Sequence, residues 1–467
     1  MKKRTKIVCT IGPACDTVET LVQMIGAGMN VARLNFSHGS HENHTALFNN
    51  IREASRQAGQ PIAILQDLQG PKIRVGALPE AGVALNPGAQ IIFDTALSEY
   101  SGDAIPVDYR ELHEYLKAGE RLLLNDGKME TKIVSVEGTR ITTTVTSGGS
   151  LTSHKGINVP DSTLTVRAMS DKDKDDARFG LSLGVDFIAL SFVRNAQDVL
   201  DLRAILEEES RAKNISQNPA IKIIAKIERR EAVQNIESIM QVVDGIMVAR
   251  GDLGIEIPGE EVPMIQKQLT MIGIKYNKPV IVATQMLDSM EHSPRATRAE
   301  VSDVANAVID HTGAVMLSNE SAVGQYPVET VATMSRILVE TEASKYDDLP
   351  LDIHAEKGES INKSMEELGR ILAEKVEASG IVLWNSTEEQ ARIMSSFRPE
   401  LPIFVSAPDQ RTLHQLNLSW GVVPLLFSSD SLEAFLGEVK VYLEKNNVPA
   451  QDLIVVTGDS LHIEHLG

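Results

Sequence analysis

Eight short apolar runs, each followed by a stretch with helical spacing, constrain the fold of this chain more than any other feature. A continuous apolar run without alternation is typical of a strand buried on both faces of a parallel sheet. Eight strand–helix units in about 250 residues are what a closed (β/α)8 barrel needs, so the predicted class is α/β with a TIM barrel. An open doubly wound sheet is the alternative on pattern alone. The runs span residues 5–10, 30–36, 61–65, 185–190, 221–225, 245–249, 279–283 and 313–317.

Two further regions break this rhythm and predict additional domains. From Lys72 to Arg167 the segments are short and β-like, and Asn125-Asp126-Gly127 is a turn signal between two of them. After Ser344 comes a polar stretch to Ser360 that is typical of a linker, and then four more apolar runs with helical patterns between them. We therefore expect an inserted β domain and a C-terminal α/β domain. The predicted limits are 1–71 and 168–345 for the barrel, 72–167 for the insert and 346–467 for the C-terminal domain.

Capping patterns predict where several helices begin and end. A capping side chain three residues before a carboxylate is a helix-start signal. The periodicity predicts helices over residues 42–57 and 231–242, and Gly26 or Gly28 as the end of the first helix. The capping pairs are Asp16 with Glu19, Ser170 with Asp173, and Ser386 with Glu389.

Composition narrows the class of partner. The chain has 467 residues and a formal net charge of −19, which argues against a nucleic-acid or anionic-membrane surface because either needs a basic footprint. No run reaches the ~18 apolar residues of a membrane-spanning helix, and no signal peptide follows the basic start. Cys9 and Cys15 imply no disulfide framework, so a reducing cytoplasm is the expected location.

Polar and charged side chains gather where the predicted strands end. Ligands of parallel α/β folds bind beyond the carboxyl ends of the strands, so these side chains are the first candidates for chemistry. The candidates are Arg33, Asn35, Ser37, Asp67, Ser191, Lys226, Glu228, Asp252 and Thr284.

Two of these carboxylates predict a metal site. Glu228 and Asp252 follow neighbouring strands about 4.8 Å apart and can share one ion. Two carboxylates with room for water and substrate oxygens suit Mg²⁺ or Mn²⁺, and without His or Cys in the set zinc is not expected. The alternative is a plain salt bridge from Glu228 to Lys226 or Arg250. Gly251, which lets backbone N–H groups approach an anion, favours the binding site.

The cations beside this site point to phosphoryl transfer. Such catalysis is mostly positioning and neutralisation of oxyanion charge, and Arg33 and Lys226 next to a metal supply both. The sequence has no P-loop and no protein-kinase glycine loop. Phosphate must therefore be held by the cations at the strand ends.

At these residues the sequence resembles the pyruvate kinase family over nearly its whole length. The resemblance implies transfer of the phosphoryl group of phosphoenolpyruvate to ADP, giving pyruvate and ATP in the last step of glycolysis. It also implies Mg²⁺, a small β-barrel lid that closes over the site, an allosteric enzyme and a homotetramer. The motifs that carry it are TKIVCTIGPA, GMNVARLNFSHG, DLQGPKIR, KIIAKIE, DGIMVARGDLGIEIP, VIVATQMLDSM and SPRATRAEVSDVANAV.

The resemblance also implies a role for individual residues. Arg33 holds the substrate phosphate, Lys226 stabilises the phosphoryl group during transfer, and Thr284 belongs to the water network that protonates the enolate. Gly251 and Asp252 offer backbone N–H groups to the substrate carboxylate. The remaining implied positions are Ser191 for the substrate, Glu228 and Asp252 for the metal, and Pro13, His38, Arg74 and Lys172 for the nucleotide.

One departure from the family concerns the monovalent cation. Many members require K⁺, which the resemblance places at Asn35, Ser37, Asp67 and the carbonyl of Leu68, near a glutamate. Here Lys72 stands in the place of that glutamate. An ammonium there can supply the positive charge that K⁺ otherwise brings, so we expect K⁺-independent activity.

Three other departures concern the effector, the nucleotide and the chain end. Members activated by fructose 1,6-bisphosphate use a Ser/Thr/Gly loop where this chain has residues 385–390, with two carboxylates that repel phosphate. Asn319 and Val323 stand where glycine and lysine are common, which implies a missing lysine contact to the nucleotide. The sequence ends at Gly467, short of the family's usual glycine-rich ending and last strand.

Two other functions fit the strand-end carboxylates. One is an Mg²⁺-dependent aldolase or lyase of the pyruvate-enolate type, which would not need the inserted lid, Arg33 or the nucleotide positions. The other is a non-catalytic metabolite sensor on the same fold. The presence of Lys226, Glu228, Asp252 and Thr284 together argues against the sensor.

Overall fold

The computed structural model describes residues 3–162, 168–215, 220–347, 360–427, 431–449, 452–457 and 460–465. The predicted boundary at residue 167 and most of the predicted linker fall outside these ranges. In the described part of the chain, no helix is long and apolar enough to cross a membrane.

The chain begins with three strands joined by two helices. The first helix is capped by Thr17, whose side chain accepts the N–H of Thr20, so the predicted cap at Asp16 is wrong by one residue. Gly28, at φ 123°, ends that helix, as one of the two predicted glycines. The elements are β1 (Lys6–Thr10), α1 (Val18–Ala27), β2 (Val31–Asn35), α2 (His41–Ala58) and β3 (Ala63–Asp67).

An inserted β domain follows β3, as predicted. It consists of a six-stranded sheet in the order β11-β7-β8-β9-β5-β6 and a two-stranded ribbon of β10 and β4, around an apolar core of its own. Asn125 and Asp126 have φ values of 52° and 55° in the predicted turn. The strands are β4 (Val83–Leu85), β5 (Gln90–Asp94), β6 (Ala104–Pro106), β7 (Arg121–Leu124), β8 (Met129–Glu137), β9 (Arg140–Ser147), β10 (Gly149–Leu151) and β11 (Ile157–Asn158), with a 3-10 turn at Leu112–Glu114.

The alternation of strands and helices then resumes. Ser170 and Asp173 form the predicted capping box at the start of α3. The helix predicted over 231–242 is split in two at Asn235. The elements are α3 (Asp171–Leu183), β12 (Phe187–Leu190), α4 (Ala196–Lys213), β13 (Lys222–Ile227), α5 (Arg230–Gln234), α6 (Ile236–Val242), β14 (Gly245–Ala249), α7 (Arg250–Glu256), α8 (Val262–Lys275), β15 (Val280–Ala283), α9 (Arg298–Ile309), β16 (Ala314–Leu317), α10 (Asn319–Ala322) and α11 (Pro327–Glu342), with 3-10 turns at Gly259–Glu261 and Asp288–Glu291.

The eight predicted strands close into a parallel barrel, and the open-sheet alternative is wrong. The order is β1-β16-β15-β14-β13-β12-β3-β2, and β1 pairs with both β16 and β2. Small and medium apolar side chains from alternate positions fill the interior, while a larger apolar cluster lies between the strands and the helices. All eight strands therefore present their carboxyl ends at one rim.

The C-terminal domain is a five-stranded α/β sheet in the order β19-β18-β17-β20-β21. Four strands match the predicted runs, but the last one pairs antiparallel with β20, so the expectation of a missing last strand is wrong. The capping box of α13 is formed by Thr387 and Gln390, one residue later than predicted. The elements are α12 (Ile361–Lys375), β17 (Gly380–Leu383), α13 (Glu388–Ser396), β18 (Ile403–Ala407), α14 (Gln410–Leu416), β19 (Val422–Leu426), α15 (Leu432–Lys445), β20 (Asp452–Thr457) and β21 (Ser460–His465).

The C-terminal domain closes the amino end of the barrel. Leu418 belongs to the apolar cluster inside the barrel. Nδ2 of Asn417 donates to the carbonyls of Asn30 and Pro61, at 2.8 and 2.6 Å, just before two barrel strands begin. Because this end is plugged, the opposite rim is where a ligand can enter.

Arg4 and Glu342 tie the start of the chain to the last barrel helix. The carboxylate of Glu342 accepts the backbone N–H groups of Arg4 and Thr5, both at 2.7 Å. The guanidinium of Arg4 pairs with Glu400 of the C-terminal domain and lies 5.3 Å from the ring centroid of Trp420. One buried carboxylate thus anchors an interdomain contact.

We expect Glu342→Ala to destabilise the protein by about 3 kcal/mol, because two buried N–H groups lose a charged acceptor. Thermal unfolding followed by circular dichroism measures this as a lower midpoint. Glu340→Ala, at an exposed position of the same helix, is the control and is expected to leave the midpoint unchanged. Equal midpoints for the two variants would contradict the anchoring role.

Candidate active site

The carboxyl rim of the barrel gathers the predicted strand-end residues from neighbouring strands. Asp67 is the last residue of β3 and pairs in register with Asn35 of β2 and Ala189 of β12. Lys226 lies inside β13, which runs two residues further than the predicted strand. Ser191 and Glu228 follow β12 and β13 directly, and both are buried.

Lys226 is the centre of this cluster. Its Nζ lies 2.9 Å from Oε1 of Glu228 and 3.3 Å from Oδ1 of Asp67, and it donates to Oγ of Ser191 at 2.7 Å. Burial opposes the charged form, but the two carboxylates outweigh it and raise the pKa of Lys226 well above its usual value. The ammonium therefore stays charged throughout the physiological pH range.

Asp67 joins Lys226 to Arg33. Nε of Arg33 donates to Oδ2 of Asp67 at 2.6 Å, and NH1 donates to Oγ1 of Thr10 at 2.9 Å. Burial acts to raise the pKa of Asp67, yet Lys226 and Arg33 hold it below the usual range. One buried carboxylate thus fixes two cations side by side at the rim.

Glu228 has the surroundings of a metal ligand. Its Oε2 accepts the N–H of Phe192 at 2.7 Å, while Oε1 contacts Lys226 and accepts no hydrogen bond of regular geometry. Burial raises the pKa of Glu228; Lys226 opposes this and Asp252 adds to it. Two mutually repelling carboxylates gain from a divalent cation between them, so the residues present fit Mg²⁺. Among the described residues, no group of three or more His, Cys, Asp and Glu side chains could hold a metal ion.

Thr284 and Gly251 contact each other at the next two strand ends. Thr284 has a φ of 70°, which is unusual for a β-branched residue, and its Oγ1 accepts the N–H of Gly251 at 2.8 Å. Of the two alternative salt-bridge partners predicted for Glu228, Lys226 does pair with it, whereas Arg250 points elsewhere. Its NH1 pairs with Asp303 and its NH2 donates to the carbonyl of Thr284, both at 2.7 Å.

The four predicted nucleotide positions are distributed around the rim. Pro13 and His38 are exposed in loops after β1 and β2. Nζ of Lys172 donates to the carbonyl of Phe36 at 2.8 Å, so α3 is joined to the loop after β2. Arg74 lies in the inserted domain and donates to the carbonyl of His154 at 3.0 Å.

Residues of the predicted monovalent-cation region form hydrogen bonds with neighbouring protein groups. Oδ1 of Asn35 accepts the N–H of Ser37 at 3.2 Å, and Oγ of Ser191 donates to the carbonyl of Leu68 at 2.6 Å. Within the described residues, the ion pair of Lys72 is with Asp126 of the inserted domain, at 3.1 Å. The sequence predicted a role for the Lys72 ammonium but not its ion pair with Asp126.

Two contributors to the site were missed in the sequence. Thr10 orients Arg33 through its hydroxyl, and Phe192, with a φ of 56°, orients Glu228 through its backbone N–H. A backbone N–H donor such as that of Phe192 cannot be recognised from the sequence, because every residue except proline has one. Thr10 could have been recognised as a polar residue at the end of an apolar strand.

Comparison with known proteins identifies the family of this chain. Residues 2–331 match the family model "Pyruvate kinase, barrel domain", and residues 367–463 match "Pyruvate kinase, alpha/beta domain". The chain belongs to the pyruvate kinase family. The chain is thus a phosphotransferase that transfers the phosphoryl group of phosphoenolpyruvate to ADP, a function that the relatives support over the aldolase and sensor alternatives.

Individual pyruvate kinases match over nearly the whole chain. Pyruvate kinase 2 of Synechocystis is 42% identical over 99% of this chain and 77% of that protein. The Geobacillus stearothermophilus and Corynebacterium efficiens enzymes are also 42% identical, over 98% of this chain and 78% and 95% of their own lengths. A solved pyruvate kinase from Cryptosporidium parvum aligns with a TM-score of 0.93 at 35% identity, covering all of this chain and 96% of that one.

We expect Lys226→Met in this pyruvate kinase to lower turnover by about 10³-fold or more, equivalent to about 4 kcal/mol of transition-state stabilisation. The variant loses the ammonium that Asp67 and Glu228 hold at the rim. Pyruvate formation from phosphoenolpyruvate with ADP and Mg²⁺ is the measurement. Lys275→Met, at an exposed barrel position, is the control. Turnover close to normal in Lys226→Met, with the fold verified by circular dichroism, would remove Lys226 from the mechanism.

Proposed function

We propose that the rim cluster around Lys226 is the catalytic centre and that this pyruvate kinase works without K⁺. The observation that supports it best is the buried ammonium fixed by two carboxylates and a hydroxyl within 3.3 Å. Such a preorganised charge needs no rearrangement when phosphoryl charge develops beside it.

In this proposal different residues of the chain bind different parts of the substrates. Arg33 and Lys226 hold the phosphate of phosphoenolpyruvate, with Ser191 fixing the direction of Lys226. The backbone N–H groups of Gly251 and Asp252 receive the carboxylate, which replaces the present bond from Gly251 to Thr284. Pro13, His38, Arg74 and Lys172 surround the nucleotide.

Glu228 and Asp252 would hold the divalent metal. Mg²⁺, or Mn²⁺ in its place, supplies positive charge beside the phosphoryl and enolate oxygens when it is bound. The carboxylates of both residues keep this charge at the rim next to Lys226.

The reaction then follows from the positions of the protein groups. A terminal phosphate oxygen of ADP attacks the phosphorus that Arg33 and Lys226 hold, and the bond from phosphorus to the enolate oxygen breaks. The electron pair of that bond stays on the enolate oxygen. A proton then reaches the methylene carbon through the water network of Thr284, giving pyruvate.

Lys72 is the residue that we propose as the internal replacement for K⁺. In the region of Asn35, Ser37, Asp67 and Leu68, the charge of Asp67 is already balanced by Arg33 and Lys226. The ion pair with Asp126 holds the ammonium of Lys72 in place where the inserted domain joins the barrel. Both observations support a site in which side-chain cations take the place of the positive charge of K⁺.

We expect turnover of the wild-type protein to be independent of KCl when tetramethylammonium chloride keeps the ionic strength constant. Lys72→Glu should instead gain about 10-fold in turnover on addition of KCl, since about 1.4 kcal/mol of charge stabilisation would then come from the cation. Lys117→Glu, on the exposed surface of the inserted domain, is the charge-matched control. A strict K⁺ requirement of the wild type would contradict the proposal.

We also propose that fructose 1,6-bisphosphate does not activate this enzyme through the loop at residues 385–390. Two cations beside this loop are already paired with its carboxylate Glu388, which lies 2.9 Å from Lys222 and 2.7 Å from Arg392. Burial, together with the charge of Glu389, raises the pKa of Glu366 to about 8. An environment that disfavours a carboxylate by burial and by a neighbouring negative charge also disfavours phosphate.

Isothermal titration with fructose 1,6-bisphosphate is therefore expected to give no saturable heat. Titration of the same sample with phosphoenolpyruvate and Mg²⁺ serves as the control for binding-competent protein. Saturable, tight binding that is lost in a variant with a replaced 385–390 loop would contradict this prediction.

The remaining proposals concern organisation. We propose a cytoplasmic homotetramer, which sedimentation velocity can measure, with a C-terminal regulatory and oligomerisation domain at 346–467. The proposed barrel limits are 1–71 and 168–345, with the lid at 72–167. Val323 is exposed where a nucleotide-binding lysine is common, which supports a weaker nucleotide contact there.

A further inference from the structure

The inserted domain touches the barrel next to the proposed metal ligand Glu228. A small cavity of about 20 Å³ lies at this junction, with Asn158 of the inserted domain on one side and Phe192, Arg229 and Glu256 of the barrel on the other. The barrel residues come from the ends of three elements: β12, β13 and α7. The junction therefore joins the lid to the rim.

Two buried polar atoms face this junction without a hydrogen-bond partner. They are Oδ1 of Asn158, an acceptor, and Nε of Arg229, a donor. A cavity of this size holds one water molecule, and a water needs polar partners of both kinds. The two atoms are therefore complementary across the boundary between lid and barrel.

Glu256 lines the same cavity as these two residues. It is the last residue of α7, the helix that also carries Asp252. Burial raises the pKa of Glu256, and the charge of Arg229 and the polar side chain of Asn158 oppose that shift. Lid and barrel thus place an amide, a guanidinium and a carboxylate around one small cavity.

Arg229 connects this junction to Glu228 through Phe192. It follows Glu228 in the chain, and its guanidinium carbon lies 5.5 Å from the ring centroid of Phe192. The N–H of Phe192 donates to Oε2 of Glu228. Gly70, where the chain enters the lid, lies against the same ring, since a Cβ there would be 2.6 Å from Cδ2 of Phe192. Phe192 thus contacts Arg229 through its ring and Glu228 through its backbone N–H.

We propose that Asn158, Glu256 and Arg229 form a latch that couples closure of the lid to the position of the Glu228 carboxylate. The inference rests on the metal-binding role proposed for Glu228. Asn158 and Glu256 are positioning residues, which act on the metal site through Arg229 and Phe192. Because coupling is reciprocal, a closed lid strengthens metal binding and a bound metal favours the closed lid.

The test measures metal binding without turnover. Mn²⁺ is titrated into the full chain with phosphoenolpyruvate present and ADP absent, and free Mn²⁺ is followed by electron paramagnetic resonance. Asn158→Ala and Glu256→Gln are each expected to weaken Mn²⁺ binding about 5- to 20-fold, the range of a moderate coupling. The double variant should lose no more than either single variant, because both break the same latch.

Two variants control for general effects. Asn86→Ala changes an exposed position of the inserted domain, and Glu260→Gln removes an exposed carboxylate shortly after α7. Both are expected to bind Mn²⁺ as the wild type does. Thermal midpoints of all variants separate loss of the latch from loss of the fold, and each single latch variant tests the proposal independently.

Glu228→Gln separates the latch from the proposed function. If Glu228→Gln binds Mn²⁺ as tightly as the wild type, the metal role of Glu228 is wrong and the latch falls with it. If Glu228→Gln loses binding while Asn158→Ala and Glu256→Gln retain it, the latch alone is overturned. Additive losses in the double variant would also overturn the latch, because independent sites add.

Discussion

The buried ion cluster of Lys226, Asp67 and Glu228 is the interaction on which the active rim depends. Each charge alone would be costly to bury, but each has a partner within 3.3 Å. The cluster holds together because parallel strands place residues from β3, β12 and β13 side by side at one edge. Removing one member leaves a buried charge uncompensated, so the charges of this site are mutually dependent.

The two smaller domains act on opposite ends of the barrel. At the amino end, Leu418 enters the inner core and Asn417 satisfies backbone carbonyls, which seals that side. At the carboxyl rim, the inserted domain meets the barrel at the junction that includes Asn158. One domain covers the base of the barrel, and the other contacts its carboxyl rim.

Most of the candidate site could be predicted because it consists of side chains at strand ends. The apolar runs locate the strands, and the residues after them must meet at one rim. Contacts made by the backbone could not be predicted in this way, such as the N–H of Phe192 on Glu228. Caps were misplaced by one residue at Thr17 and Thr387, because adjacent Asp16 and Ser386 are equally good capping residues and only the helix geometry chooses between them.

The sequence by itself determined the barrel, the inserted domain and the identity of the charged groups, because burial on both faces enforces apolar runs of strand length. The tertiary structure decided which charges pair. Lys72 contacts Asp126 across the lid, and Glu228 pairs with Lys226 while Arg250 turns to Asp303. It also supplied the antiparallel edge strand β21, four of whose six residues are exposed and whose pairing depends on β20. These outcomes depend on distances between residues far apart in the chain, and local patterns carry no information about them.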